Sequence, residues 1–458
     1  MRKISGNEFL ETIKRWPRWK RYTLVAFVSP PLLGALFALL FYANLHRSAS
    51  AMTSEPLPAF PPLVPAQRLL VIAPHCDDET LGVGGVIAQA RHDGIPVHVV
   101  FLTNGDAFPA ACALVTRNLQ PAAKDYVKLG NLRQKEALAA LKHLGVGPED
   151  VTFLGYPDRG IRALWEANWS PEKPYKSPFT QKDSVRGEAY CGQSLVSDLT
   201  QLIQKTRPTD IFVTHPADDH QDHSLAATFT EAALQKSKVE RVLMHYYIVH
   251  RGDWPLPQGY SPSLPLVPPA GFTSADTHWR TVTLSHDALK AKERALKEYD
   301  SQLKLCDRFL NSFLRTSEIF GQLTQAGIDP MHTASVRDGQ GDDVVRFANP
   351  STDLTRLDAQ LVGKNLKVTL NLRGASAPGV RYALHLRSEK GTFLARTLRS
   401  PYLSQPGSSQ LVCSIPLAEL ETGTQPLEEA LWISAETGMT ARNIVDQTGY
   451  RYFALHRP

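Results

Sequence analysis

The sequence predicts an α/β protein with two additions: a mostly parallel, Rossmann-like sheet with flanking helices, an N-terminal transmembrane helix before it, and a C-terminal all-β sandwich domain after it. Three observations predict this. From Arg68 onward, short apolar runs alternate with helical periodicity, the pattern of parallel strands joined by crossovers. Residues 22–45, "YTLVAFVSPPLLGALFALLFYANL", carry no charge. Beyond about residue 342, short alternating segments such as "LKVTLNLRG" and "ALWISAET" are separated by Gly, Pro, Ser and Asn, as the strands of a sandwich are.

Residues 1–21 hold seven Lys and Arg against two Glu, which accounts for the whole formal net charge of +5 of the 458 residues. The remaining chain is neutral, so nothing in it demands a nucleic-acid partner, which would call for a basic patch on the folded part. The basic cluster reads as a cytoplasmic N-terminus. As a helix the 24 uncharged residues after it would extend about 36 Å at 1.5 Å per residue, enough for a bilayer core of about 30 Å. With the positive charge on the near side, the bulk of the chain lies beyond the membrane. The expectation is a single-pass protein of a bacterial inner membrane, its α/β domain in the periplasm. A cleaved signal peptide ending near "SASA", Ser48–Ala51, is a weaker fit. Pro30 and Pro31 disturb the helix of the span.

Residues 46–67 form a proline-rich spacer that includes "SEPLPAFPPLVPA". The α/β body follows over 68–341. Its strands are "RLLVIA", "PVHVVFLT", "VTFLG" and "DIFVTH", and its helices lie around Leu81–His92, Asn131–Leu144, Gln193–Lys205 and after His223. Gly160–Ala189 and the proline-rich Gly252–Ala275 read as long loops over the sheet, and about Ser285–Phe320 as one long helical stretch. Residues 342–458 form the β sandwich. Five cysteines, an odd number, do not describe a disulfide scaffold; Cys112 and Cys191 are the first pair to consider for a bridge.

Charge collects where two of these strands stop. "APHCDDETLG", Ala73–Gly82, follows "RLLVI", and "THPADDHQDH", Thr214–His223, begins on the last residue of "DIFVT". Open α/β sheets bind ligands at the carboxyl ends of their strands. His75 and Asp78 offer a nitrogen and an oxygen to a metal, and one further His completes a three-ligand set with a position left for water, as at a catalytic zinc. "GVGGV", Gly82–Val86, invites a nucleotide-loop reading, but the acids before it would repel phosphate. His92, His98, His143, His215, His245 and His250 read as structural histidines.

"PHCDDE" and "HPADDHQDH" together resemble the paired signatures of the PIG-L/LmbE-like deacetylases, zinc enzymes that remove the acetyl group from N-acetylglucosamine-type sugars. The resemblance continues in "LRQKEALAALKHLGV", "FLGYPD", "YDSQ" and "EIF" and covers about residues 68–322. It implies zinc held by His75, Asp78 and His223, with Asp77 as general base and His220 as second catalytic group. It also implies that Arg133 and Asp158 face the substrate. Asp218 and Asp222 are positioned to orient the histidines. Relatives commonly carry Pro where this chain has Cys76, which reads as a spectator. The expected substrate is an N-acetylhexosamine of an envelope glycan or glycolipid, a lipopolysaccharide core among them. Two competing readings are a two-His, one-carboxylate iron oxygenase and a non-catalytic membrane-anchored scaffold that binds glycan.

Overall fold

In the computed structural model the described residues are 17, 32, 34–36, 38–43 and 56–455, less 253, 270–271, 273–275, 325, 342–343, 390–391, 399–406, 421–429 and 441–442. The apolar runs become strands β1 (Leu69–Ala73), β2 (Val97–Thr103), β3 (Val151–Tyr156), β4 (Asp210–Thr214) and β5 (Leu243–Tyr247). Helix α1 (Asp78–His92) joins β1 to β2, α3 (Ala123–His143) precedes β3, α5 (Gly192–Thr206) precedes β4, and α6 (Gln221–Ser237) leads to β5. The shorter α2 (Pro109–Thr116) and α4 (Ile161–Glu166) follow β2 and β3. Strands β1 to β5 pair in parallel in the order β3-β2-β1-β4-β5. The antiparallel strands β7 (Ser317–Leu323) and β6 (Thr277–Thr283) extend the sheet beyond β5.

The chain leaves β1 toward β2 on one side and later returns to β4 on the other. The carboxyl ends of β1 and β4 therefore flank a topological switch point, where an open sheet leaves a crevice. β1 and β4 are buried along their whole length, as expected of central parallel strands covered on both faces.

The expected long helical stretch is two helices, α7 (His286–Leu296) and α8 (Asp300–Asn311), followed by β7. The turn between them, Lys297–Tyr299, places Tyr299 fully inside the core. Ser317–Phe320, read as helix from the stripe before it, is strand because it completes the sheet beside β5. The loop after β3 holds α4 and a small hairpin, Ser184–Val185 with Glu188–Ala189.

The C-terminal region is two packed sheets around one apolar core. One sheet runs β9 (Ala334–Arg337), β10 (Leu354–Val362), β11 (Asn365–Leu372) and β14 (Gln410–Pro416). The other runs β8 (Ala326–Ile328), β17 (Arg451–Leu455), β15 (Ala430–Gly438), β12 (Arg381–Ser388) and β13 (Phe393–Thr397), with β16 (Asp446–Gln447) on β15. β8 and β9, which precede residue 342, pair within these sheets.

The expected anchor, 22–45, lies largely outside the described residues, as do nearly all of 1–21 and the first part of the spacer. Among the described residues no helix is long and apolar enough to cross a membrane. Phe41, within the expected span, is instead buried against protein, its ring 5.6 Å from that of Phe347 in the C-terminal region. These findings overturn the placement as a single-pass inner-membrane protein with a periplasmic catalytic domain. The Cys112–Cys191 bridge is likewise corrected, since all five thiols are free. Cys112 packs in a small cluster with Tyr126 and Leu129, while the Cys191 sulfur caps α5 by accepting from the Ser194 amide at 3.4 Å.

Candidate active site

The two charged segments meet at the switch point. His75 Nδ1 lies 3.1 Å from His223 Nε2, and Asp78 Oδ2 is 3.3 Å from the first and 3.2 Å from the second. All three side chains are buried. The outer nitrogens face carboxylates: His75 Nε2 is 3.3 Å from Asp158 and 3.4 Å from Asp222, and His223 Nδ1 is 3.4 Å from Asp218. With a neutral ring's hydrogen turned to those acids, two lone-pair nitrogens and a carboxylate oxygen point at one another, which is unfavourable without a cation between them. Ligand atoms around a tetrahedral zinc at about 2.1 Å are about 3.4 Å apart. The donor set and its spacing fit that ion.

Local sequence accounts for the convergence. The Asp78 carboxylate turns back to accept from the His75 amide at 2.8 Å. Asp77 between them has φ of 147°, a value rare for a residue with a side chain and of a kind that clusters at active sites. Arg133, buried on α3, holds this strained turn: its guanidinium donates to the Cys76 carbonyl at 2.6 Å and the Gly105 carbonyl at 2.7 Å, and lies 3.1 Å from Asp77 Oδ2. Arg133 thus faces the cavity with most of its donors committed to backbone and to Asp77. On the other segment, Asp218 accepts from the amides of His220, Val249 and His250 at 2.9, 2.9 and 3.0 Å. Asp222 accepts from Arg159 at 2.6 Å, and Asp158 from Ala107 at 2.6 Å.

Burial opposes a charge on both His75 and His223, but the acids outweigh it. His75 is held well above its usual value, chiefly by Asp158, and His223 is raised to about 9 by Asp78 and Asp218. Asp78 goes the opposite way: burial is overcome by His223 and His75, which hold it well below the carboxylate range. Burial raises Asp77 to about 6 against the pull of Arg133. His220 is pushed well below 6.5 by burial and by His75, His223 and His250. This environment favours the neutral ring at His220.

A cavity of about 220 Å³ opens over these groups. His75, Asp77, Asp78, Asp158 and His220 line its polar side, and Leu81, Phe108, Cys306, Phe309 and Leu310 its apolar side. His250, read as structural from sequence, also lines it: a ring nitrogen of His250 lies within 4.8 Å of ligand atoms of Asp78 and His223, and its ring stacks on Phe309 at 5.4 Å. Cys76 is fully buried, with its thiol pushed up by burial.

A family model described as GlcNAc-PI de-N-acetylase (PIG-L) matches residues 70–234. A 1D-myo-inositol 2-acetamido-2-deoxy-alpha-D-glucopyranoside deacetylase of Mycobacteroides abscessus is 30% identical over 256 residues, covering 53% of this chain and 83% of its own. The chain belongs to the PIG-L family. It is a deacetylase of that family, a zinc-dependent hydrolase for N-acetylglucosamine-type substrates. The deacetylase is also similar to a protein of the same description from Saccharopolyspora erythraea, at 31% identity over 52% of this chain and 78% of the other. Among solved structures, the N,N'-diacetylchitobiose deacetylase of Pyrococcus horikoshii aligns with 56% of this chain and 82% of its own at 18% identity and a TM-score of 0.34.

Proposed function

We propose that the deacetylase removes the acetyl group from an N-acetylhexosamine carried by a glycan or glycolipid, releasing acetate and a free amino sugar. The observation that carries this is the Asp77 carboxylate beside the triangle of His75, Asp78 and His223 ligand atoms, on the polar side of an open cavity. Those three residues would hold zinc, which when bound polarises an amide carbonyl and lowers the pKa of water to about 7.

Asp77 is next to a ligand in the chain but outside the triangle, so it is free to take the proton of the attacking water. Arg133, 3.1 Å from Asp77 Oδ2, fixes that carboxylate as a positioning residue. His220 Nδ1 accepts from the Asp222 amide at 3.2 Å. The neutral ring then carries its hydrogen on Nε2, which can donate to the developing oxyanion. The proton held by Asp77 passes to the departing amine. Asp158, Asp218 and Asp222 keep the metal-facing rings in the required tautomer.

The M. abscessus relative is named for a 2-acetamido sugar joined to inositol, and a sugar with an attached group suits a cavity lined by both polar and apolar side chains. Within that class an envelope glycan, lipopolysaccharide core included, is the finer assignment. The test is acetate release from N-acetylglucosamine conjugates by zinc-loaded protein and by Asp77→Ala, with mass analysis of envelope glycans from cells with and without the protein. No acetate from any N-acetylhexosamine conjugate, or equal release by Asp77→Ala, would refute the reading. Metal analysis showing iron with oxygen-dependent turnover would replace it.

A further inference from the structure

The segment that carries His220, Asp222 and His223 is held from two sides, and one side is the C-terminal β region. Gln447, on β16, donates from Nε2 to the Asp218 carbonyl at 3.0 Å and accepts on Oε1 from Gln221 Nε2 at 2.9 Å. Gln221 sits between His220 and Asp222, and its own Oε1 accepts from Arg162 at 3.0 Å. Arg162 in turn pairs with Glu436 on β15 at 2.8 Å. The circuit leaves the β region at Gln447 and returns to it at Glu436.

The backbones also meet. Gly449 has φ of 65°, and a Cβ there would stand 1.9 Å from the Pro216 carbonyl oxygen. No other residue type fits that approach without displacing the segment. Asp219 receives Arg346 of the C-terminal region at 3.4 Å and Arg251 of the catalytic body at 3.2 Å. Behind α4, Trp165 packs edge-on against Trp432 at 5.6 Å and Tyr450 at 5.8 Å.

We infer that Gln447 of the β region, acting through Gln221 and the Asp218 carbonyl, is a positioning residue of the deacetylase site. The inference rests on the assignment of His223 as ligand and His220 as catalytic group. Loops tend to be among the less stable parts of a fold, while a catalytic constellation must be held to about 0.5 Å. Gln447 reaches the site at one remove from three functional side chains. The β region is on this account an integral brace of the active site, not a separable binding module.

The experiment uses the full chain. Gln447→Leu keeps the bulk and removes both hydrogen bonds. Arg451→Met is the comparison, since it removes a contact between the same two regions, the Arg451–Asp276 pair at 2.8 Å, without touching the segment. Zinc affinity is measured by competition with a chelating indicator, alongside kcat, KM and Tm. Gln447→Leu is expected to weaken zinc binding and lower kcat by about 10-fold or more, the scale for partners of metal ligands, with KM nearly unchanged. Arg451→Met is expected to lower Tm alone. If Gln447→Leu does not fold, Gln221→Leu removes the Gln447–Gln221 bond from the catalytic side and is read identically. Zinc affinity and kcat within about 2-fold of wild type, or equal losses in Arg451→Met, would overturn the inference. Should the wild type release no acetate, the proposed function fails, while the zinc-affinity comparison still decides the role of Gln447.

Discussion

Helix α1 begins at Asp78, so its placement sets one corner of the His75–Asp78–His223 triangle, and a buried ion pair grips its middle. Lys292 on α7 and Glu318 on β7 are 2.6 Å apart, with side chains 1% and 0% exposed. Lys292 also donates to the Leu81 carbonyl at 2.8 Å, and Glu318 accepts from the amides of Gly85 and Val86 at 2.7 and 2.9 Å. Lys292→Met retains the apolar stem and removes the charge, leaving a carboxylate with two amide donors but no cation. Breaking a buried pair in this way costs about 3–5 kcal/mol. At about 2–4 °C per kcal/mol for a domain of this size, Tm should fall by roughly 10 °C. Replacing both partners, Lys292→Met with Glu318→Leu, removes the uncompensated charge and strands only backbone groups within a helix, so the double variant should lose less than the sum of the two singles. Thermal or urea unfolding of the four proteins, in apo and zinc-loaded form, gives the coupling energy directly. A fall in Tm below about 2 °C for Lys292→Met, or strict additivity in the cycle, would refute this account of the pair.

Other outcomes follow from the same geometry. Asp77→Asn should lower kcat by about 10²-fold or more, the range for loss of a general base, with zinc stoichiometry unchanged; loss of zinc would move Asp77 into the ligand set. Cys76→Pro should leave zinc stoichiometry unchanged, as measured by metal analysis, since the Cys76 thiol is sealed in the core. Asp218→Asn should weaken zinc binding by about 10-fold or more in chelator competition, because the His223 tautomer loses its anchor. Glu436 gives a pH signature. Burial alone would raise its pKa, but His385 and Arg162 outweigh it and hold it well below 4.5. A depressed folded value means stability present above about pH 4.5 and lost as pH falls through the folded value. Glu436→Gln should therefore lower Tm at pH 7 and progressively less as the buffer is acidified, read by calorimetry across pH.

The sequence disclosed those elements whose residues obey a local rule. β1 to β4 are continuous apolar runs bounded by turns, and "PHCDDE" and "THPADDHQDH" stand at strand ends, so the convergence of His75, Asp78 and His223 was legible. The quoted motifs also answer one another in space. Glu136 of "LRQKEAL" accepts from the Ser301 amide and hydroxyl of "YDSQ" at 2.8 and 2.6 Å. Tyr299 donates to Glu79, and Glu318 of "EIF" grips α1. The glycines of "GVGGV" admit neighbours, not phosphate: a Cβ on Gly82 would stand 2.2 Å from the Tyr247 ring, and one on Gly85 2.4 Å from Leu284. The helical stripe after Ser285 concealed β7, because "SEIFGQL" is strand through its pairing with β5 and β6, and no local period reports a distant partner. Apolar character across 22–45 did not distinguish a membrane from a protein surface, which is what meets Phe41.

His250 shows where a physical rule reaches further than a motif. β5 runs parallel to β4, and "HYYIVH" carries the chain to His250 just past its carboxyl end. The rule that placed His75 and His223 at strand ends applies equally to this strand. A half-buried histidine there, stacked on Phe309 and close to Asp78 and His223, belongs to the same crevice although it lies outside the matched residues 70–234. The tie between His250 and the metal segment is direct, since the Asp219 amide donates to the His250 carbonyl at 2.8 Å and Asp218 accepts from its amide. The Asp218–His223 segment is therefore stitched to the end of β5 on one flank and to Gln447 on the other. A change at either flank should reach zinc before it reaches the rest of the fold.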